Sequence, residues 1–230
     1  EAIITDHHSL PPELPGEACA IIHPQVGEYP FKELSGGAVA FKLAQGILKS
    51  KHESIKKISA EGFEKWLLDL AAITTVADMM PLIGENRVLV AYGLKVLNKT
   101  KRLGLRKLIE IAGLQLGALD TYSIGFQIAP RINAAGRMNH ANVAYKLFMS
   151  EIGDDAADLA FELNQNNQDR QKVTDELLKK AVEQVEALQP VQGKEKNQMN
   201  NGVLFAIGKG WSTGIVGLIS SKLKEKYQKP

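Results

Sequence analysis

The sequence holds one cysteine, Cys19, in 230 residues. That excludes an internal disulfide framework and fits a reducing compartment. Cys19 stands in the apolar run ACAIIH and is expected to be a buried structural thiol rather than a nucleophile. No stretch approaches the roughly 20 apolar residues of a membrane span. The basic, apolar, small-residue start of a secreted chain is missing too, so a cytoplasmic setting is the expectation. Excess charge of one sign is also lacking: 28 Lys and Arg stand against 26 Asp and Glu, a formal net charge of +2. That balance neither requires nor forbids nucleic acid, because a local basic patch can act on a nearly neutral protein. What remains is a globular mixture, 44% hydrophobic and 23% charged, enough for one large domain or two modest ones.

The chain opens inside an apparent strand and closes after an amphipathic pattern, and is therefore expected to be a fragment of a longer protein. AIIT and ACAII read as short buried strands among the turn residues Pro11, Pro12, Pro15 and Gly16. Residues 36–50 have helical spacing with Ser35 placed to cap them. Residues 61–80 predict one strongly apolar helix ending at Pro81, and 85–98 and 104–112 predict two more. Such alternation points to an α/β fold with a mainly parallel sheet. From Asp154 to Leu188 there is no helix breaker until Pro190, which predicts a rod of about 50 Å. Its apolar seam runs through Ala156, Ala160 and Leu163 and resumes at Leu177, Ala181, Val185 and Leu188. Between them Asn167, Arg170 and Thr174 occupy the same face. Packed ends with a polar middle suit a connector between two domains. The polar stretch 192–201 reads as a linker, GVLFAI as a new strand, and IVGLISSKLKEK as a helix opening a second, smaller α/β domain.

Four elements carry chemistry. Asp6, His7 and His8 stand at the carboxyl end of a strand, the edge where ligand sites form in open parallel sheets. Carboxylate and imidazole together suit Mn²⁺, Mg²⁺, Zn²⁺ or Fe²⁺. TTVADMMPLIGENR (74–87) places one acid, Asp78, at the end of an apolar helix, where it needs a cation, donors or a capping role. GFQIAPRINAAGRM (125–138) sets Arg131 and Arg137 about Asn133 and small alanines, with Pro130 and Gly136 expected to fix turns. Arginine forks suit phosphate oxygens. GKGWSTGIVGLISSKL (208–223) puts glycines before a helix start, which favours an anion, without the lysine-serine ending of a P-loop.

Taken in order, TDHH, ELSGGAVAFKL, TVADMMPLIGENR, APRINAAGRM, ELNQNNQDRQ and GWSTGIVGLISSKL resemble the DHH phosphoesterase superfamily, and within it the RecJ single-strand-specific 5′→3′ exonucleases. The resemblance implies the C-terminal portion of a parallel-sheet DHH domain (1–152), a long interdomain helix (153–190) and the start of a smaller α/β domain of DHHA1 type (191–230). It implies His7 and Asp78 as metal ligands, with Asp6 and His8 orienting the site and contacting the scissile phosphate. Arg131, Asn133 and Arg137 would hold the nucleic-acid backbone. Ser221 and Lys222 would read a 5′-phosphate, with Trp211 and Gly214 shaping their loop. Ser212 and Lys222 depart from the usual histidine and arginine, and lysine lacks the bidentate fork. The family's first metal motifs lie upstream of the DHH, so a site for two Mn²⁺ or Mg²⁺ ions is expected to be incomplete here and this chain alone inactive. The implied activity is hydrolysis of single-stranded DNA from its 5′ end, in DNA repair and recombination, with possible protein partners. A phosphodiesterase for short oligonucleotides or cyclic dinucleotides, and a non-catalytic replication scaffold, are the alternatives.

Overall fold

A computed structural model describes residues 1–50, 52–58, 62–138, 141–187 and 203–230. The linker expected at 192–201 lies outside the described residues, as do Leu188 and Pro190. Two short strands, β1 (Ile3–Thr5) and β2 (Ala20–Ile22), pair in parallel with Thr5 opposite Ile22. The Asp6 N–H extends the ladder to the Ile22 carbonyl at 3.2 Å, so both strands deliver their carboxyl ends side by side. Cys19 corrects the expectation of burial. It precedes β2 at the rim, its N–H bonded to the Ala2 carbonyl at 2.8 Å and its side chain exposed.

The rest is helical. Helix α1 (Gly36–Leu48) starts at Ser35, whose Oγ accepts the Ala38 N–H at 3.3 Å, the expected N-cap. Next come α2 (Glu53–Ile58) and a 3₁₀ turn (Phe63–Leu67) that runs into α3 (Leu68–Ala77). The single helix expected over 61–80 is thus two pieces, and it ends early for a local reason. Met79 adopts the left-handed conformation (φ 53°), its N–H bonds the Val76 carbonyl, and the Met80 N–H bonds the Thr75 carbonyl. This pair of bonds is a Schellman stop, which leaves Asp78 as the C-cap.

Helices α4 (Gly84–Leu97) and α5 (Leu103–Ile111) agree with expectation to within a residue. A π-helix (Ser123–Ile128) leads straight into α6 (Ala129–Met138). Pro130 and Gly136 therefore do not fix turns; both are helical. The wider π turn makes room for Pro130, which has no N–H to give the ladder. Then follow α7 (Asn142–Met149), the 35-residue α8 (Gly153–Ala187) and α9 (Thr213–Tyr227). The stretch 203–207 is extended but forms no ladder among the described residues, and Gly202 lies outside them, so it is not the strand expected there. Its alternation survives: Val203, Phe205 and Ile207 are exposed, while Leu204 and Ala206 are half-buried. The architecture is α/β, helix-rich, with a small parallel sheet. No helix among the described residues is long and apolar enough to cross a membrane.

The chain forms two compact units, Glu1–Pro130 with Lys146–Ala160, and Arg131–Tyr145 with Phe161–Pro230. In the first, Leu34, Ala38, Val39 and Phe41 pack with Ala71 and Leu89. A Cβ on Gly37 would run into the Thr74 side chain, so only glycine lets α1 approach α3 this closely. In the second, Ala181 of α8 packs with Ile215, Ile219 and Leu223 of α9. The seam residues Ala156, Ala160, Leu163, Ala181 and Val185 are buried, and so are Asn167 and Thr174 in its polar middle.

Candidate metal centre and nucleic-acid interface

The sheet and the α3 stop bring together two side chains far apart in sequence. His7 leaves the end of β1 and Asp78 caps α3, and His7 Nε2 lies 3.6 Å from Asp78 Oδ2. This is longer than a hydrogen bond. Two atoms each about 2.1 Å from one ion stand at most about 4.2 Å apart, so the pair fits as ligands of a common Mn²⁺- or Mg²⁺-sized ion. His7 is mostly buried and Asp78 is 43% exposed, which leaves the pair open on the Asp78 side. The ring edge of His7 lies against Gly36, where a Cβ would come within 3.2 Å of Cδ2. Among the described residues no three His, Cys, Asp or Glu side chains form a metal cluster. The described residues therefore offer two donors, and further ligands would be water, phosphate or groups beyond these residues.

Asp6 works locally. Its Oδ1 accepts the His7 N–H at 2.7 Å, the His8 N–H at 3.3 Å and His8 Nδ1 at 2.7 Å. The His8 ring first, then these N–H groups, hold the Asp6 carboxyl well below the usual carboxylate range. The carboxylate thereby fixes the turn in which the two imidazoles stand 4.5 Å apart. His8 projects into solvent, 78% exposed.

His23, not singled out from the sequence, completes this turn. It leaves β2 as His8 follows β1, is buried, and bonds the His8 carbonyl through Nε2 at 2.9 Å. The Gln25 N–H donates to its Nδ1 at 3.1 Å, so the tautomer with the proton on Nε2 satisfies both bonds. Asn86 of α4 is also buried. It donates to the Glu33 carbonyl at 2.6 Å and the Pro81 carbonyl at 3.1 Å, tying the loop after Asp78 to the approach of α1. Its neighbour Glu85 pairs with Lys42 and accepts the Tyr29 hydroxyl at 2.6 Å. Burial, then this carboxylate, push the Tyr29 hydroxyl pKa up. The parallel pairing of two strands that each run into histidine was the signal for His23; nothing in the spacing marked Asn86.

In the second unit the other predicted residues gather along α6, α8 and α9. Arg131 Nε donates to Asn164 Oδ1 of α8 at 3.0 Å, and burial lowers the pKa of its guanidinium. Arg137 Nη1 donates to the Gly214 carbonyl at 2.7 Å. A Cβ on Gly214 would stand 3.0 Å from the Arg137 carbonyl oxygen, so glycine permits that close approach. Asn133 is exposed. Trp211 packs on the Ile215–Ile219 core and over Gly208. Ser221 Oγ donates to the Gly217 carbonyl at 3.0 Å and Lys222 to Asp175 at 3.1 Å, so both are held by local contacts. The polar middle of α8 adds a further member. Burial first, then repulsion from Arg137, lower the pKa of Arg170, with Asp175 acting the other way. Arg170 Nε is buried with no hydrogen-bond partner among the described residues, a spare donor suited to an anionic ligand. The equally buried and unpartnered Asn167 Oδ1 is an acceptor and calls for a donor instead.

No protein-family model matches the chain. A curated relative, the single-stranded-DNA-specific exonuclease RecJ of Bacillus subtilis, is 42% identical over all of this chain and 27% of its own length. A crystal structure of exonuclease RecJ bound to manganese superposes with TM-score 0.79 and 28% identity, covering all of this chain and 53% of that one. Thermus thermophilus RecJ in complex with Mg²⁺ superposes with TM-score 0.77 and 28% identity, again over the whole chain and 32% of that one. The chain thus spans about a quarter of the length of its curated relative. Sequence and fold agree from end to end: the chain is RecJ-like throughout Glu1–Pro230.

Proposed function

We propose that this chain forms part of a metal-dependent nuclease that hydrolyses phosphodiester bonds of single-stranded DNA from the 5′ end. The observation that carries the reading is the convergence of His7 Nε2 and Asp78 Oδ2 at 3.6 Å, with Asp6 fixing the turn beside them. His7 and Asp78 would hold Mn²⁺ or Mg²⁺, as the bound metals of the related structures suggest. Such ions supply Lewis acidity and charge neutralisation at the scissile phosphate. The chain's own residues orient and bind. Asp6 sets the direction of His8, whose exposed ring would contact the phosphate. His23 holds the backbone of the same turn. Arg131, Asn133 and Arg137 would contact backbone phosphates, joined by Arg170. Ser221 and Lys222, which lie within α9 rather than in the loop expected for them, would meet a 5′-phosphate, with Trp211 before the helix and Gly214 in its first turn. The domain division at 152 and 190 belongs to this reading, as does a cytoplasmic role in repair and recombination.

The test uses the full-length protein. Mn²⁺-dependent digestion of a 3′-labelled, 5′-phosphorylated single strand is followed beside its duplex, with Asp78→Ala as control. Stepwise loss from the 5′ end, absent on duplex and abolished in the variant, is expected. Cleavage of dinucleotides alone would move the protein to the short-oligonucleotide class, and no cleavage of either would favour a scaffold.

A further inference from the structure

We propose that a cleft beside Trp66 is a second binding site for single-stranded nucleic acid, gripping the strand away from Asp78; the inference rests on the nuclease reading above. The cleft encloses about 550 Å³ and is lined by Phe63, Trp66, Lys101, Arg102, Phe148 and Glu151 among others. Phe63 and Trp66 are 47% and 41% exposed, unusual for rings on the 3₁₀ turn that opens a buried helix. Lys101 Nζ sits 5.1 Å from the Trp66 ring centroid, a cation–π contact.

The floor is a fixed polar frame. Asp69 is 2% exposed and accepts Arg102 Nε at 3.0 Å and Thr100 Oγ1 at 3.1 Å. Its charge is thus met, and Arg102 and its neighbour Lys101 are held in register. The segment NKTKRLGLRK (98–107) carries Lys99, Lys101, Arg102, Arg106 and Lys107 and no acid. Lys99, Lys101 and Arg106 are exposed. Lys107 pairs with Glu110, and Glu151 is the one other carboxylate at the cleft. Exposed rings beside a run of cations are the two parts of a sequence-tolerant single-strand site: bases stack and phosphates pair.

Helix α3 sets the distance. The cleft rings lie just before its first residue and Asp78 caps its last, and ten residues rise about 15 Å. A strand cut at Asp78 must therefore be several nucleotides long to reach Trp66, whereas a dinucleotide cannot.

The experiment compares the full-length wild-type protein with Trp66→Leu and Lys101→Gln, on a long single strand and on a dinucleotide. Strand affinity is measured in parallel by fluorescence anisotropy at several salt concentrations. For each variant, long-strand KM and Kd should rise roughly tenfold with kcat and dinucleotide hydrolysis unchanged. Lys101→Gln should also reduce the salt slope by about one. Unchanged strand affinity in both variants overturns the proposal, whether the cleft is empty or takes a polypeptide. Equal losses on both substrates overturn it too, because they mark a structural role. A wild-type protein that binds strands but digests nothing refutes the nuclease reading, and the anisotropy still decides the cleft.

Discussion

The two units gather opposite halves of hydrogen-bond chemistry. Around β1 and α3 the first presents lone pairs: His7 Nε2 and Asp78 Oδ2, with Asp6 engaged by its own neighbours. Along α6, α8 and α9 the second presents N–H groups: Arg131, Arg137 and Arg170, two of them partly buried. The first arrangement suits a cation and the second an anion. The means of construction differ as well. The first site is set by backbone features, a strand end and a helix stop, whereas the second depends on side chains that reach between helices. The lesson is that loss of one side chain should abolish function in the first unit and only weaken it in the second.

The largest effect expected is at Asp78. In the full-length protein Asp78→Ala should lower Mn²⁺-dependent digestion by about 10³-fold or more, as loss of several kcal/mol of metal-derived stabilisation requires, with strand affinity nearly unchanged. Arg137→Ala should do the reverse, weakening strand binding about tenfold and lowering the salt slope by about one. Turnover at saturating strand should then persist. If both variants lost turnover alone, the division of labour between the units would collapse.

Smaller effects sharpen the contrast. His23→Phe removes the donor to the His8 carbonyl and the acceptor for Gln25, at a cost of about 1–3 kcal/mol in denaturant unfolding, with digestion reduced beyond the loss of folded protein. His23→Gln, which keeps a donor, should recover part of both. Met79→Gly relieves the left-handed strain at the α3 stop and should stabilise by about 1 kcal/mol. Because the Met79 side chain is 89% exposed, digestion should stay unchanged.

The smallest effect is in acid. The N–H and hydroxyl of Ser123 hold Asp120 low in the first unit, and Tyr227 then Lys226 hold Glu186 low in the second. Each folded carboxyl titrates below its unfolded value, so each adds stability above about pH 4 that disappears as pH falls through the folded value. Thermal unfolding from pH 7 to pH 3 should show both. The Glu186 part should shrink in high salt, because a cation supplies part of it, while the Asp120 part should persist.

Local rules were legible; partnerships were not. The Ser35 cap, α4, α5 and the unbroken α8 follow from spacing and breakers that act within one turn. The α3 stop was misplaced because a left-handed methionine carries no compositional mark. Pro130 looked like a turn because proline ordinarily breaks a helix interior, and the π-helix that accommodates it carries no mark in composition. Cys19 looked buried because an apolar run reads as a buried strand, yet β2 itself is open, with Ala20 exposed and Ile21 and Ile22 half-buried. Residue spacing could not pair His7 with Asp78; the family resemblance named them, and the parallel register explains how His23 joins them.

The extended segment at 203–208 has a practical consequence. Its backbone is pinned at Leu204 by the Pro230 carbonyl and at Ile207 by the Gln184 amide, and no strand lies beside it among the described residues. It presents Val203, Phe205 and Ile207 on one side at every second position. Its edges are thus partly occupied, and what it offers another copy is an apolar side-chain face rather than a free backbone ladder. Phe205→Lys is the substitution expected to keep a concentrated solution of this chain dispersed, with light scattering as the check.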